Sequence, residues 1–352
     1  MRYLCIMSNF AQNSMGKTNI SLFPHGGGIS AIPQARRRVF HVLGLRVTSF
    51  RECGTAMRDL GGRIVIPHNI NHKRMRLIID AGSTKMGWIL MDGHEVKAHF
   101  VTKGFNPNYS PMQDLVEICH GASLPDGIRS IHYYGTGCGN DQNCQAIKEV
   151  FQNRFPDADI HVTHDLMAAC HAVLGHEKGI ACILGTGSNS CLYDGENIIE
   201  KAVSLGYLVG DEGSGMHIGR EVVRAYFYGF MAEELRMRFD AAYHLVLKDF
   251  IQRLYHEGQP SKYLATFAKF AGEHQNHPFI HDLVKRCFKA FIEAFVLRYE
   301  ACKSLKISFI GSVAFHFQDI LKESLADYGL ASGEIMQAPA EGLIKYYQSL
   351  PA

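Results

Sequence analysis

Hydroxyls and glycines able to hold a phosphate group gather in two short stretches of this chain, the first with a carboxylate beside them. The first is Asp80-Ala81-Gly82-Ser83-Thr84, set between two apolar runs in the segment Arg76 to Gly93. A tight hairpin turn of that composition exposes backbone N–H groups, two hydroxyls and one carboxylate together. Gly82 lets the backbone come close to phosphate oxygens, Ser83 and Thr84 add donors, and Asp80 can take Mg²⁺ directly or through water. The second stretch, Gly185-Thr186-Gly187-Ser188-Asn189-Ser190, lies roughly 100 residues further on and repeats the arrangement. There Gly185 and Gly187 are expected to accept positive φ, and Thr186 and Ser188 to donate to phosphate oxygens.

Isolated carboxylates and an asparagine add to these. Asp165 sits in His161-Val162-Thr163-His164-Asp165-Leu166, directly after a strand pattern and at the start of a helical one. It is either the cap of that helix, since Asp is among the best N-caps, or a base held at a strand-to-helix junction. Gly210-Asp211-Glu212-Gly213-Ser214 precedes a helical pattern in which Ile218, Val222, Val223 and Tyr226 form one apolar side. Its two carboxylates suit helix capping or ligand binding. Asn106, next to Pro107, is either a turn residue or a ligand contact, and the neighbouring Asn108 leaves the register open. His274, His277 and His281 lie around Pro278 without a carboxylate or cysteine set, so no metal site is read there.

Holding these groups in place requires ordered elements, and their periodicity can be followed from Met75 onward. The pattern predicts a hairpin over 76–93, a third strand at 96–102, a helix at 111–120, a strand at 130–134, a helix at 142–155, a strand at 159–163 and a helix at 166–174. A second hairpin at 180–194 follows. Helices are then expected at 212–229, 241–255, 263–272 and 280–304, a strand at 306–310, a helix at 315–328 and a closing helix at 342–348. Phe288, Phe291 and Phe295 follow helical spacing and read as core. The fold class is α/β with strands first. Two hairpins with hydroxyl-bearing glycine turns predict a duplicated domain, 75–179 and 180–352, facing itself across a cleft.

Charge divides the chain at the same boundary. Residues 1–74 hold 11 Lys and Arg against 2 Asp and Glu, whereas 75–352 hold 25 against 32. The basic stretch lacks sustained periodicity, and Met75 opens the first strand directly. We therefore expect 1–74 to be a poorly ordered extension upstream of a true start at Met75, in preference to a targeting peptide or nucleic-acid arm. An acidic remainder would repel nucleic acid. No run approaches the roughly 18 apolar residues of a membrane span. The ten cysteines are scattered singly, as in a reducing cytoplasm.

Taken together, DAGST at 80–84, Asp165 after its strand, GTGSN at 185–189, GDEGS at 210–214 and Gly311-Ser312 after the apolar run Ile307 to Ile310 resemble the sugar kinase, Hsp70 and actin ATPase superfamily. The nearest branch is the N-acetylglucosamine kinase and BadF-type ATPase family. The resemblance implies two ribonuclease H-like (actin-like ATPase) domains around an interdomain cleft that binds ATP and Mg²⁺. It makes Gly82, Ser83 and Thr84 the first phosphate loop, with Asp80 on the metal. Gly185, Thr186, Gly187 and Ser188 become the second loop, and Gly311 and Ser312 the adenosine contact. Asp165 matches the base that takes the proton from the sugar hydroxyl, while Asn106, Gly206 and Asp211 match contacts to the sugar. Gly137 to Gly139 resembles the segment linking the phosphate loops.

The implied activity is ATP-dependent phosphorylation of a small sugar, O6 of N-acetylglucosamine or a related amino sugar, by a cytoplasmic enzyme whose relatives include homodimers. Two other functions share these motifs. One is a BadF-type ATPase activating an acyl-CoA dehydratase or reductase, although this chain lacks a cysteine pair in its glycine-rich positions. The other is a non-enzymatic sugar sensor, since fold does not fix function. One departure from the family pattern is the short C-terminus, where the usual small-residue segment is reduced to Ala338 to Gly342.

Overall fold

The structure, a computed structural model, describes residues 57–58, 64–65 and 75–351. Two-residue strands β1 (Met57–Arg58) and β2 (Ile64–Val65) pair antiparallel. The expectations for the rest of 1–74, including its order and a start at Met75, lie outside the described residues.

Strand β3 (Met75–Ala81) carries Leu77, Ile78 and Ile79 with no exposed surface. Apolar side chains pointing to both faces require a central strand covered on both sides. Around it form β4 (Lys85–Asp92), β5 (Glu95–Lys103), helix α1 (Met112–Gly121), β6 (Ser130–Gly135), α2 (Asp141–Arg154), β7 (Asp159–His164) and α3 (Asp165–Val173). The sheet order is β5-β4-β3-β6-β7. The β3–β4 and β4–β5 pairs are antiparallel, and β3–β6 and β6–β7 are parallel. Asn140 caps α2 by accepting the Asn143 amide, which fixes where that helix leaves the sheet.

The second half repeats the plan with β8 (Gly179–Leu184), β9 (Ser188–Tyr193), β10 (Ile198–Lys201), β11 (Ile307–Ile310) and β12 (Ser332–Met336). Its order is β10-β9-β8-β11-β12, with the same sequence of antiparallel and parallel pairs. Between β10 and β11 lie α4 (Gly215–Phe227), α5 (Glu233–Tyr243), α6 (Leu247–His256), α7 (Pro260–Ala265), α8 (Ala268–Glu273) and α9 (Pro278–Phe291). A π-helical turn, Ile292–Val296, and a 3₁₀ turn, Glu300–Lys303, complete the insertion. Helices α10 (Ser312–His316) and α11 (Gln318–Ala326) follow β11, and α12 (Ala340–Ser349) ends the chain.

One core fills the outer face of the first sheet under α1 and α2, with Trp88, Leu115 and Phe151. A second packs the helical insertion on the other sheet and includes the expected Phe288, Phe291 and Phe295. The third joins the halves: Ile78 and Ile89 of the first sheet and Ala181 and Cys191 of the second all pack against α3 and α12. Helix α3 therefore carries its first residue, Asp165, at a position fixed from both sides. Among the described residues no helix is long and apolar enough to cross a membrane.

Several expected boundaries are corrected. The helix expected at 241–255 is two, α5 and α6, broken where His244 takes a left-handed conformation, φ 45°. Helix α5 begins earlier than expected because it buries only Leu235 and Phe239, a stripe too thin to register as periodicity. The helix expected at 263–272 is split into α7 and α8, and that at 315–328 into α10 and α11. The long helix expected at 280–304 starts at Pro278, a residue suited to a first helical turn, and passes into the π-helical turn after Phe291. Strands β10 and β12, both edges with incomplete burial, had no counterpart in the expected pattern.

Candidate active site

Ligands of parallel α/β sheets collect beyond the C-terminal ends of the strands. Strands β3, β6 and β7 lie side by side and parallel, so their ends bring Asp80, Thr136 and Asp165 to one edge. The Thr136 amide donates to the Ala81 carbonyl at 3.0 Å. Burial first and the Asp165 charge second raise the Asp80 carboxyl, Lys85 offsets part of the rise, and the net value is about 7. Asp165 is also raised by burial, while the Leu166 amide, the Thr136 side chain and its own amide favour the carboxylate and pull back. Poorly solvated carboxylates at one strand edge favour uptake of a proton or a cation there. The N-cap of α3 is His164, which makes no capping bond, so Asp165 is not the cap but the first helical residue.

The first hairpin turn closes through the Gly82 amide on the Lys85 carbonyl, 3.0 Å. The chain leaving β5 runs beneath it, with the Gly104 amide on the Thr84 carbonyl and the Phe105 amide on that of Gly82. A Cβ at Gly104 would overlap the Gly82 carbonyl oxygen, so the close approach requires glycine there. Asn106, 7% exposed, donates from Nδ2 to the Ser83 hydroxyl at 3.0 Å and accepts the Asn108 amide on Oδ1. Asn106 is thus the asparagine joined to the loop, while Asn108 is exposed. Gly137, with φ 80°, packs on it: a Cβ there would lie 2.6 Å from Asn106 Oδ1.

The second turn is held differently. The amides of Gly215 and Met216, opening α4, donate to the carbonyls of Gly185 and Thr186 at 2.8 and 3.2 Å. Asp211, in a left-handed conformation with φ 58°, accepts the Ser188 amide on Oδ1 at 3.2 Å. Burial raises its carboxyl and the Glu212 charge adds to this, while the Ser188 amide opposes them. Gly185 and Gly187 can tolerate positive φ, and neither adopts it. At Gly187 glycine is needed for approach instead, because a Cβ would meet Asp211 Oδ2 at 3.0 Å. Ser188 Oγ is buried with no hydrogen-bond partner among the described residues. Gly206, φ 69°, accepts the Gly210 amide and so shapes the loop that leads into Asp211.

From the second turn a cavity of about 500 Å³ opens, lined among others by Thr186, Ala265, Lys269, Ser312 and His316. Gly311, which precedes the lining residue Ser312, has φ 131°, and a Cβ there would overlap the Leu184 carbonyl oxygen. The structure therefore brings Gly185, Thr186 and Ser312 to one cavity, and Asp80, Asp165 and the first turn to one strand edge. A separate cavity of about 360 Å³, between the β6–β7 edge, α3 and α12, is lined by His132, His161, His171 and Tyr346 and by none of the motif residues.

Two residues of the cleft escaped the sequence reading. Thr136 had a signal, since Gly135-Thr136-Gly137 repeats the Gly-Thr-Gly of 185–187. Lys262 of α7, whose Nζ donates to the Ser83 carbonyl at 3.1 Å, had none.

The donor set suits Mg²⁺ and a nucleotide. One carboxylate supplemented by waters and phosphate oxygens is how Mg²⁺ is usually held, and Asp80 supplies a carboxylate short of counter-charge. A phosphate oxygen would give the buried Ser188 hydroxyl the partner it lacks. Among the described residues no group of three or more His, Cys, Asp or Glu side chains is arranged to hold a metal by itself.

No protein-family model matches the chain, and no curated protein matches it. Solved structures do. A Porphyromonas gingivalis protein provisionally named an N-acetylglucosamine kinase is 37% identical, with a TM-score of 0.74 over 78% of this chain and 99% of that one. A Chromobacterium violaceum protein with the same provisional name is 18% identical, with a TM-score of 0.62 over 79% of this chain and 100% of that one, and shows the fold alone. Two five-stranded sheets of equal strand order, with the motif residues at their ends, are the actin-like ATPase fold expected from the sequence. The identity over nearly the whole of the first of these structures adds the family: this chain belongs to the N-acetylglucosamine kinase family, with the actin-like ATPase fold.

Proposed function

We propose that this chain is an ATP-dependent kinase that phosphorylates O6 of N-acetylglucosamine or a related amino sugar. The observation that carries the reading is Asp165, the first residue of α3, set at a strand-to-helix junction on the strand edge that also carries Asp80 and Thr136. A carboxylate whose affinity for protons is raised by burial is a better acceptor for a hydroxyl proton than one in water. As the sugar oxygen bonds to the γ-phosphorus, its proton passes to Asp165 and ADP leaves. Thr136, at the end of the neighbouring strand, favours the ionised carboxylate. The turns at 82–84 and 185–188 hold the phosphates, and the cavity lined by Ser312, next to Gly311, receives the adenosine. A divalent cation on Asp80 would offset charge on the phosphate oxygens. Asn106, Gly206 and Asp211 are assigned to the sugar, the first and last already ordered through Ser83 and Ser188.

Phosphoryl transfer leaves the protein mostly positioning and charge compensation, so the base is expected to contribute on the order of 10² to 10⁴ in rate. The purified protein should release ADP from ATP·Mg²⁺ only with the right sugar, and Asp165→Asn should lower that rate by about 10³. A 6-deoxy analogue of N-acetylglucosamine should bind without turning over. Absence of sugar-dependent ADP release across a panel of amino sugars and hexoses would sink the proposal. The cytoplasm is the proposed compartment.

A further inference from the structure

Lys262 reaches from one half of the molecule to the other. It stands on α7, in the helical insertion of the second half, and its ammonium donates to the carbonyl of Ser83, at the tip of the first turn and 179 residues away in sequence. One turn along the same helix, Ala265 lines the 500 Å³ cavity together with Thr186 and Ser312. Residues three apart share a helix face. A single face of α7 therefore runs from the wall of that cavity to the first turn.

The root of this lysine is fixed. Helix α7 rests on α4 at Gly219, where a Cβ would overlap the Leu264 carbonyl oxygen, so the two backbones are in contact. Movement is left to the four-carbon stem and the ammonium. That ammonium has three donors, and the Ser83 carbonyl uses one. A neutral carbonyl is a weaker partner than an anionic oxygen. Among the described residues Lys262 is paired with this carbonyl and not with a carboxylate. The turn it reaches follows directly on Asp80, the last residue but one of β3, so a triphosphate held over that turn would meet a carboxylate and gain from added positive charge.

We propose that Lys262 is a catalytic residue of the transfer, its ammonium donating to an oxygen of the γ-phosphate held over the first turn. The proposal rests on the kinase reading. The lysine keeps its proton throughout: the bond from the γ-phosphorus to ADP breaks, the bond to the sugar oxygen forms, the sugar proton goes to Asp165, and Lys262 neutralises charge on a non-bridging oxygen.

The test compares wild type with Lys262→Met, which keeps the apolar stem and removes the charge. Calorimetry with Mg²⁺ should find AMP-PNP bound on the order of tenfold more weakly by the variant, the size of one charge-assisted hydrogen bond, and ADP bound as in wild type. In turnover, kcat should fall by about 10² with the sugar KM unchanged. Lys262→Arg, which restores the charge, should recover AMP-PNP binding. Equal weakening of ADP and AMP-PNP, no weakening of either, or a rise in kcat on removing a mere cross-cleft latch would overturn the proposal. The nucleotide ratio needs no turnover, so a wild type that phosphorylates no sugar would defeat the kinase reading while the binding pair still decides the role of Lys262.

Discussion

The two halves have the same strand order and the same kind of glycine turn after their first strand, yet they hold that turn by different means. In the second half the turn is clamped: two amides of α4 take its carbonyls, Asp211 takes an amide, and Ser188 is buried. In the first half the turn rests on the segment after β5 and on Asn106, and Thr84 is exposed. The strand ends differ as well. Those of the first half carry Asp80, Thr136 and Asp165, whereas β8 and β11 lead into Gly185-Thr186 and Gly311-Ser312. On the proposed function, the duplicated scaffold divides the work, with proton and cation chemistry on one sheet and nucleotide shape on the other. The more loosely held turn is the one that Lys262 reaches from across the cleft.

The largest effect should come from crowding the clamped side. Gly311→Ala puts a Cβ against the Leu184 carbonyl at a φ of 131° that side chains rarely adopt, and should cost about 3 to 5 kcal/mol. Gly104→Ala presses on the Gly82 carbonyl without positive φ, and the exposed turn above it can shift, so about 1 to 3 kcal/mol is expected. Thermal denaturation of both variants should give the larger fall in Tm for Gly311→Ala. The reverse order would mean that the first turn is the stiffer of the two.

Asp211 separates clamping from sugar binding. Asp211→Ala removes the acceptor for the Ser188 amide and places alanine at a φ of 58°, so about 1 to 3 kcal/mol should be lost and the KM for ATP should rise. Asp211→Asn keeps an acceptor and tolerates that conformation. It should leave the KM for ATP near wild type and raise the KM for the sugar. Equal effects of both variants on ATP would confine Asp211 to holding the second turn.

How much of this was legible in the sequence follows from how local each feature is. The hydroxyl-bearing turns and Asp165 were readable because neighbours in sequence make them, and the duplication followed from two hairpins of one pattern. Glycine at 187 was recognised, but for the wrong reason: the carboxylate pressing on it comes from residue 211, which no local pattern reveals. Lys262 was invisible on the same ground, being an ordinary helical lysine until the fold sets it over Ser83. Edge strands β10 and β12 lacked the buried alternation that marks a strand, and His244 ends a helix without the glycine that usually signals it.

The smallest expected effect concerns pH and the acidic edge of the first half. Burial and Asp165 raise the Asp80 carboxyl in the folded chain from 3.8 to about 7, so folding takes up a proton between those values. The cost of burying the charge is absent below the unfolded pKa and complete above the folded one. In EDTA and without nucleotide, Asp80→Asn should therefore melt close to wild type near pH 4 and several degrees higher at pH 8, while losing Mg²⁺-dependent nucleotide binding. A constant difference in Tm across that range would mean that Asp80 stays ionised in the free protein. The acidic edge of the first half would then be compensated without a metal, by Lys85 on its own hairpin.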